Sequence, residues 1–200
     1  MDKEKIGDYL VSDQLYEGQI AVTYKATHSS TGNVRALRLR KFHIPADKAD
    51  IRRILRIEAT VFSELYNNQI IRTYDSGFHK DQFYTVTDLI GGESLAQRLQ
   101  RENVLTAELV FKIALNVTQA ISYAHELGII HSSITPDSVL IREGFADAVV
   151  TDFRRRILLE RPELKKILTE QPALKWHDHY APESIINREY NTSTDIYQIG

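Results

Sequence analysis

Eight consecutive residues, His131-Ser132-Ser133-Ile134-Thr135-Pro136-Asp137-Ser138, followed at a short distance by Asp152-Phe153-Arg154, constrain this chain more than any other stretch. A helical stretch ending Tyr123-Ala124-His125-Glu126-Leu127-Gly128 precedes them and an apolar run, Val139-Leu140-Ile141, follows. The order is therefore helix, polar loop, short strand. Ser, Thr, Pro and Asp are the usual turn formers, so taken alone the octapeptide reads equally well as a turn after a helix. The rest of the chain decides between a turn and a site.

Composition narrows the setting. Of 200 residues, 42% are hydrophobic and 26% charged, the balance of a soluble globular chain long enough for a substantial core. A net charge of -2 gives no bulk attraction to nucleic acid or to a membrane surface. With no Cys there are no disulfides and no Cys-based metal sites, which fits a reducing, cytoplasmic setting. Apolar runs fall short of the ~20 residues that span a bilayer.

Taken in order, Tyr9 to Leu15 alternates as a strand and Ala21 to Thr27 gives a second, with Gly18 in the turn between them. Ser29-Ser30-Thr31-Gly32-Asn33 is a turn cluster leading into a third strand, Val34 to Leu39. Pro45 to Leu65 predicts a helix, Pro45 in its first turn, with Ile51, Leu55, Glu58, Phe62 and Leu65 on one face. A carboxylate on that apolar face needs a partner. A strand from Phe83 to Leu89 follows, and a resemblance of Tyr74 to Gly77 to a strand of a known family implies one more before it. A long helix over about Thr106 to Leu127 presents Leu109, Ile113, Ala114, Val117, Ala120, Ile121 and Ala124 as one core stripe. Ala148 to Thr151 is an apolar strand feeding Asp152. His125 reads as a packed or capping residue at a helix end.

In this order and spacing the segments resemble a protein kinase, in the manner of bacterial serine/threonine kinases, over Tyr9 to Gly200. The resemblance implies an α+β, two-lobe fold. Residues 1–90 would form an N-lobe of a five-stranded antiparallel sheet plus one helix. Residues 91–200 would form a mainly helical and incomplete C-lobe with the catalytic loop, the activation segment and the start of the central helix. In the family the loop reads H-R-D-L-x-x-x-N, its Asp accepting the substrate hydroxyl's proton and its Asn holding a second magnesium ion. Here Ser133 stands at the Asp, Ser138 at the Asn, Thr135 where serine/threonine kinases carry Lys, and Ser132 at the Arg that clamps an activating phosphate. His131 takes the family's structural place under Phe153.

The same resemblance assigns the nucleotide positions. The phosphate-covering glycines fall on Tyr16, Gly18 and Ala21, so one of three remains. Ala36 and Leu140 would sandwich adenine, Thr87 is the gatekeeper, and the backbone of Asp88, Leu89 and Ile90 would meet its edge. Arg38 occupies the place of the Lys that pairs with the phosphates and with the helix Glu, here Glu58. Arg38 and Glu58 are therefore expected to form an ion pair, since a guanidinium suits a carboxylate fork better than a crowded phosphate pocket. Asp152 keeps the metal position of the D-F-G motif, whose Gly is Arg154, and Ala181-Pro182-Glu183 matches A-P-E. Asp195 opens the central helix and ties down the loop backbone.

The expectation is a pseudokinase: a signalling domain acting as a regulatory or protein-binding module with a degraded ATP site. No cofactor is expected, with Mg-ATP weak at most. The alternative is a residually active ATP-dependent serine/threonine kinase or a transferase that uses nucleotide differently. A protein partner is expected on the basic segment 154–176, with its apolar residues at helical spacing, or on an open C-lobe surface. The 60 to 80 further residues of a whole kinase domain point to a fragment or a truncated product.

Overall fold

Three buried residues from three different strands, Tyr9, Leu37 and Val86, meet in one apolar cluster of the computed structural model, which describes residues 4–18, 20–144, 147–153, 162, 164, 179–187 and 189–200. The strands are β1 (Lys5–Ile6), β2 (Tyr9–Glu17), β3 (Ala21–His28), β4 (Val34–His43), β5 (Thr73–His79) and β6 (Gln82–Thr87), all antiparallel in the order β1-β2-β3-β4-β6-β5. Five of the six were predicted. The sixth, β1, is two residues long and escapes any periodicity argument, yet its Ile6 is 1% exposed. Tyr84 closes the cluster, and burial pushes its hydroxyl up to about 12. Gly77 faces it because a Cβ there would lie 2.8 Å from the Tyr84 Oη.

Helix α1 (Ala49–Ser63) accompanies this sheet. It begins four residues later than the sequence suggests, and Pro45 is not in its first turn. The reason is a turn in which the Lys48 N–H donates to the Pro45 carbonyl, while the fully buried Ile44 donates its N–H to the Asp81 carbonyl. The predicted face is largely right: Ile51, Leu55, Glu58 and Ala59 are buried, whereas Phe62 is half-exposed. Arg52 fastens the helix. Its guanidinium lies 3.9 Å from the centroid of the Phe78 ring and donates to the Ile44 carbonyl and to Asp81 Oδ1, both at 2.9 Å.

A second compact unit contains residues 66–71, 90–144, 147–153, 179–187 and 189–200 among those described. Its short sheet joins β7 (Gly92–Ser94), β8 (Val139–Arg142) and β9 (Ala148–Val150), and Ile70 pairs in parallel with Val150. Helix α2 (Leu95–Arg101) starts at a reciprocal cap in which Ser94 Oγ accepts from the Gln97 N–H and Gln97 Oε1 accepts from the Ser94 N–H. Helix α3 (Ala107–Glu126) is capped by Thr106 and stops at Gly128, whose φ of +72° lets the chain turn back without a Cβ penalty. Its buried stripe is narrower than predicted: Ala114 is exposed beside Val110, Phe111 and Leu115. The described chain ends with α4 (Pro182–Ile186) and α5 (Thr192–Ile199).

Of the basic segment 154–176 only Pro162 and Leu164 are among the described residues, both helical; the rest of that prediction lies outside them. No helix among the described residues is long and apolar enough to cross a membrane.

Arg52 combines a cation–π contact with two hydrogen bonds at a side chain only 20% exposed. Arg52→Ala is expected to cost about 1–3 kcal/mol, and Arg52→Lys to recover part of it, in urea unfolding followed by circular dichroism. An Arg52→Ala chain as stable as the parent would show that α1 is held by its apolar face alone.

Candidate functional site

The loop from His131 to Thr135 is shaped by side chains reaching its backbone. Five consecutive N–H groups each donate to a side-chain atom. His131 donates to Asp195 Oδ2 at 2.8 Å, Ser132 to Asp195 Oδ1 at 2.7 Å, and Ser133 to His131 Nδ1 at 3.3 Å. Ile134 donates to Gln198 Oε1 and Thr135 to Ser138 Oγ, both at 2.9 Å. No regular element could satisfy these groups, because Ser132 sits at φ +68°, a left-handed conformation that breaks any ladder.

Asp195 is the centre of this arrangement. Its side chain is fully buried, and Oδ2 also accepts from His125 Nε2 at 2.8 Å. Helix α5 aims it: Asn191 caps the helix through the Thr194 N–H, and Thr194 Oγ1 donates to Glu183 Oε1 of α4. A buried carboxylate is tolerable here because each oxygen meets donors.

His131 is wholly buried, and its two ring nitrogens are assigned by their partners. Nδ1 accepts from the Ser133 N–H, so Nε2 carries the proton and donates to the Thr151 carbonyl at 2.9 Å. Burial holds its pKa below the ordinary value, with Asp195 and the Thr151 carbonyl pulling the other way. Phe153 stacks on the ring at a centroid distance of 4.5 Å. Beside it Asp152 has φ +67°, a second strained left-handed residue.

Ser133 and Thr135 are buried at 6% and 7% exposure. Ser138, at 1%, uses its hydroxyl twice within the loop, accepting from the Thr135 N–H and donating to the Thr135 carbonyl. Leu140 is half-buried on β8, opposite Ser94 and Val149. Ile90 lies half-buried before β7.

The remaining predicted positions lie in the first unit. Gly18 sits in the β2–β3 hairpin, its N–H donating to the Ala21 carbonyl at 2.9 Å. Tyr16 is 46% exposed where β2 slips register against β3. On β4, Ala36 pairs across to Lys25 and Thr87, and Arg38 to Thr23 and Thr85, so Thr and Lys neighbours line that face of the sheet. Glu58 is buried on α1 at 7% exposure. After β6, the Asp88 N–H donates to the Arg72 carbonyl and its carboxylate accepts from Tyr74 Oη at 2.8 Å. The Arg35 guanidinium lies 4.0 Å from the Tyr74 ring centroid, and Leu89 is half-buried.

Sequence reasoning missed Gln198, and it treated His125 as a packed or capping residue at a helix end, not as a donor to Asp195. The available signal was the i, i+3 spacing of Asp195 and Gln198 on one helix face.

An antiparallel sheet with one accompanying helix, together with a helix–loop–strand unit whose polar loop hangs on a buried Asp, defines a kinase-like fold. The protein kinase domain model matches residues 9–200, and the chain belongs to the protein kinase family. Among curated relatives it is 27% identical over 208 residues to the human serine/threonine-protein kinase Nek10, covering 98% of this chain and 17% of that protein. It is 25% identical to a probable serine/threonine-protein kinase of Clostridium perfringens, covering 92% and 26%. The chain spans less than a third of the length of the curated relatives it matches first. Among solved structures, a crystal structure of Rad53 residues 1–466 in complex with AMP-PNP superposes with a TM-score of 0.73 at 21% identity, covering 96% of this chain and 46% of that one.

Two outcomes follow from the loop geometry. Asp195→Ala leaves three donors unmet, the two backbone N–H groups among them buried, and should cost on the order of 3–5 kcal/mol in chemical denaturation. Folding lowers the pKa of His131, so the stability tied to its neutral form is complete above its unfolded value of about 6.5 and is lost as pH falls below that. Unfolding free energy should therefore decline from pH 7.5 to 5.5, with a shallower slope in His131→Phe.

Proposed function

We propose that this chain is a pseudokinase, a protein-kinase-family domain that works as a regulatory or protein-binding module with a degraded ATP site. The observation that carries the reading is Ser133: a hydroxyl stands at the position of the family's catalytic base, in a loop whose backbone is nonetheless fully held. A hydroxyl at Ser133 is too weak a base to accept the substrate proton as the carboxylate does.

The nucleotide end of the reading rests on three further positions. Ser138, at the metal-binding Asn, commits its oxygen to both polar groups of Thr135, so the set does not fit a two-magnesium site. Tyr16 and Ala21 put side chains where glycine backbone would meet phosphate. Arg38, in this reading, serves Glu58 instead of a phosphate. Losing charge-assisted contacts costs about 1.5–3 kcal/mol each, enough together to carry a micromolar site past millimolar at about 1.4 kcal/mol per decade. The retained Asp152 favours a second reading, a domain that still binds nucleotide through one ion.

The surface supports the binding role. In the second unit Phe111, Ile185, Ile186, Ile196 and Tyr197 are all more than half exposed. Large apolar side chains in water are what a protein partner buries. Such a partner, and a signalling role in the cytoplasm, belong to this proposal.

The test is transfer of radiolabelled phosphate from Mg-ATP to a generic substrate and to the chain itself. No transfer above background is expected, and Ser133→Asp alone should not restore it, because parts that act as a unit are not recovered singly. Transfer abolished by Asp152→Ala would overturn the proposal. In parallel, millimolar Mg-ATP is expected to leave the melting temperature unchanged, whereas a site filled to 100 times its Kd would add about 2.7 kcal/mol. A magnesium-dependent rise lost in Asp152→Ala would select the nucleotide-binding reading.

A further inference from the structure

The turn between β5 and β6 has two central residues, because His79 and Gln82 face each other as the last strand pair. Those residues, Lys80 and Asp81, have φ of +47° and +66°. Positive φ at both positions is the pattern of a type I′ hairpin turn, which Asn-Gly adopts with ease. Neither residue here is glycine, and a side chain in the left-handed region disfavours the conformation roughly five- to thirtyfold per residue. Strain of this kind persists only where the surroundings hold it.

All four turn residues are held from outside. Glu4 Oε1 accepts from Lys80 Nζ at 2.8 Å and lies 3.2 Å from His79 Nε2. These hydrogen bonds, that of Lys80 first, keep the Glu4 carboxyl below the usual carboxylate range. On the other side, Asp81 Oδ1 accepts from Arg52 Nη1 at 2.9 Å, and the Asp81 carbonyl accepts from the Ile44 N–H at 2.7 Å. The same Arg52 Nη1 donates to the Ile44 carbonyl, so Arg52, Ile44 and Asp81 form a closed ring of hydrogen bonds. Gln82 Nε2 donates to the Arg40 carbonyl at 2.7 Å. The turn therefore stands between the strand β1, which Glu4 precedes, and the helix α1, which carries Arg52.

A turn this short cannot relax one residue alone. With His79 and Gln82 fixed as a pair, a change of φ at Lys80 has to be met by one at Asp81, and that moves the Asp81 carboxylate away from Arg52. Without Glu4, the ring of Arg52, Ile44 and Asp81 is left to hold the strain of both residues. An exposed ion pair at an unstrained position would have no such reach.

We propose that this turn is a conformational clasp joining β1 to α1: while Glu4 holds His79 and Lys80, Asp81 stays on Arg52, and withdrawal of the Glu4 carboxylate loosens α1. The helix so loosened is the one that buries Glu58. The clasp acts on that residue whether or not a nucleotide binds.

Amide hydrogen exchange of the whole chain tests the coupling. In Glu4→Ala the exchange of the α1 amides is expected to rise at least about twofold. Lys5→Ala, which removes a pair of similar exposure from the same strand, should leave α1 unchanged. In urea unfolding, Glu4→Ala and Arg52→Ala together should lower the folding equilibrium constant at least about twofold less than the product of their separate losses, although they bond to different residues of the turn. With Lys80→Asn and Asp81→Gly combined, the turn is relaxed in itself, and Glu4→Ala should no longer affect α1. Exchange changes confined to β1 and the turn, separate losses that simply multiply, or an α1 response that survives the doubly substituted turn would each overturn the proposal.

Discussion

The carboxylate of Asp195 is the constraint on which the second unit depends. It takes the N–H groups of two consecutive residues, His131 and Ser132, and the ring of His125, in a place with no access to water. Two adjacent N–H groups pointing to one carboxylate force the chain out of helix and strand alike, and the left-handed Ser132 is the result. From that kink the remaining three donors fall to His131, Gln198 and Ser138. The loop keeps the form of a kinase catalytic loop because its frame is electrostatic and lies beneath it. Nothing in that frame requires an acid at position 133, so a Ser there is compatible with the same backbone path.

The first unit shows how a second frame is built from a different interaction. There an apolar sheet core is closed by Tyr84, and α1 is tied to the β5–β6 end by a single guanidinium stacked on Phe78. Arg56 lies 5.6 Å from the centroid of the same ring, so two cations approach one aromatic side chain. The Arg52 bond to Asp81 supplies the negative charge that makes such crowding tolerable.

Periodicity made most of the elements legible. The helical spacing of Ile113, Val117, Ala120 and Ala124 encodes a face, and that face is buried, whereas on β4 the adjacent Ala36 and Leu37 are both buried, so a strand covered on both sides there shows no alternation. Errors arose where long-range contacts overrule local preference. Pro45 favours a first helical turn, but the burial of Ile44 against the Asp81 carbonyl draws that stretch into a turn before α1. Ala114 fits a helical stripe by spacing, yet it sits one residue beyond Ile113, about 100° around the helix, and faces outward. At the site, the substituted positions were readable one by one through resemblance. What each replacement does with its hydrogen bonds was not: that Ser138 folds its hydroxyl back on Thr135, or that Gln198 takes Ile134, depends on distances between segments remote in sequence.

That remoteness bears on the order in which the chain acquires its shape. His131 and Asp195 are 64 residues apart, so closing their contact carries a loop entropy that local elements avoid. While the chain is being synthesised, the stretch from His131 to Thr135 emerges long before α5 and has no acceptors for the N–H groups of His131, Ser132 and Ile134. The helix α3 and the strand β8 on either side can form from local contacts, but the loop between them stays an open tether until α5 docks. Its kinase-like form is thus among the last features of the unit to appear during folding, and among the first to be released if α5 frays.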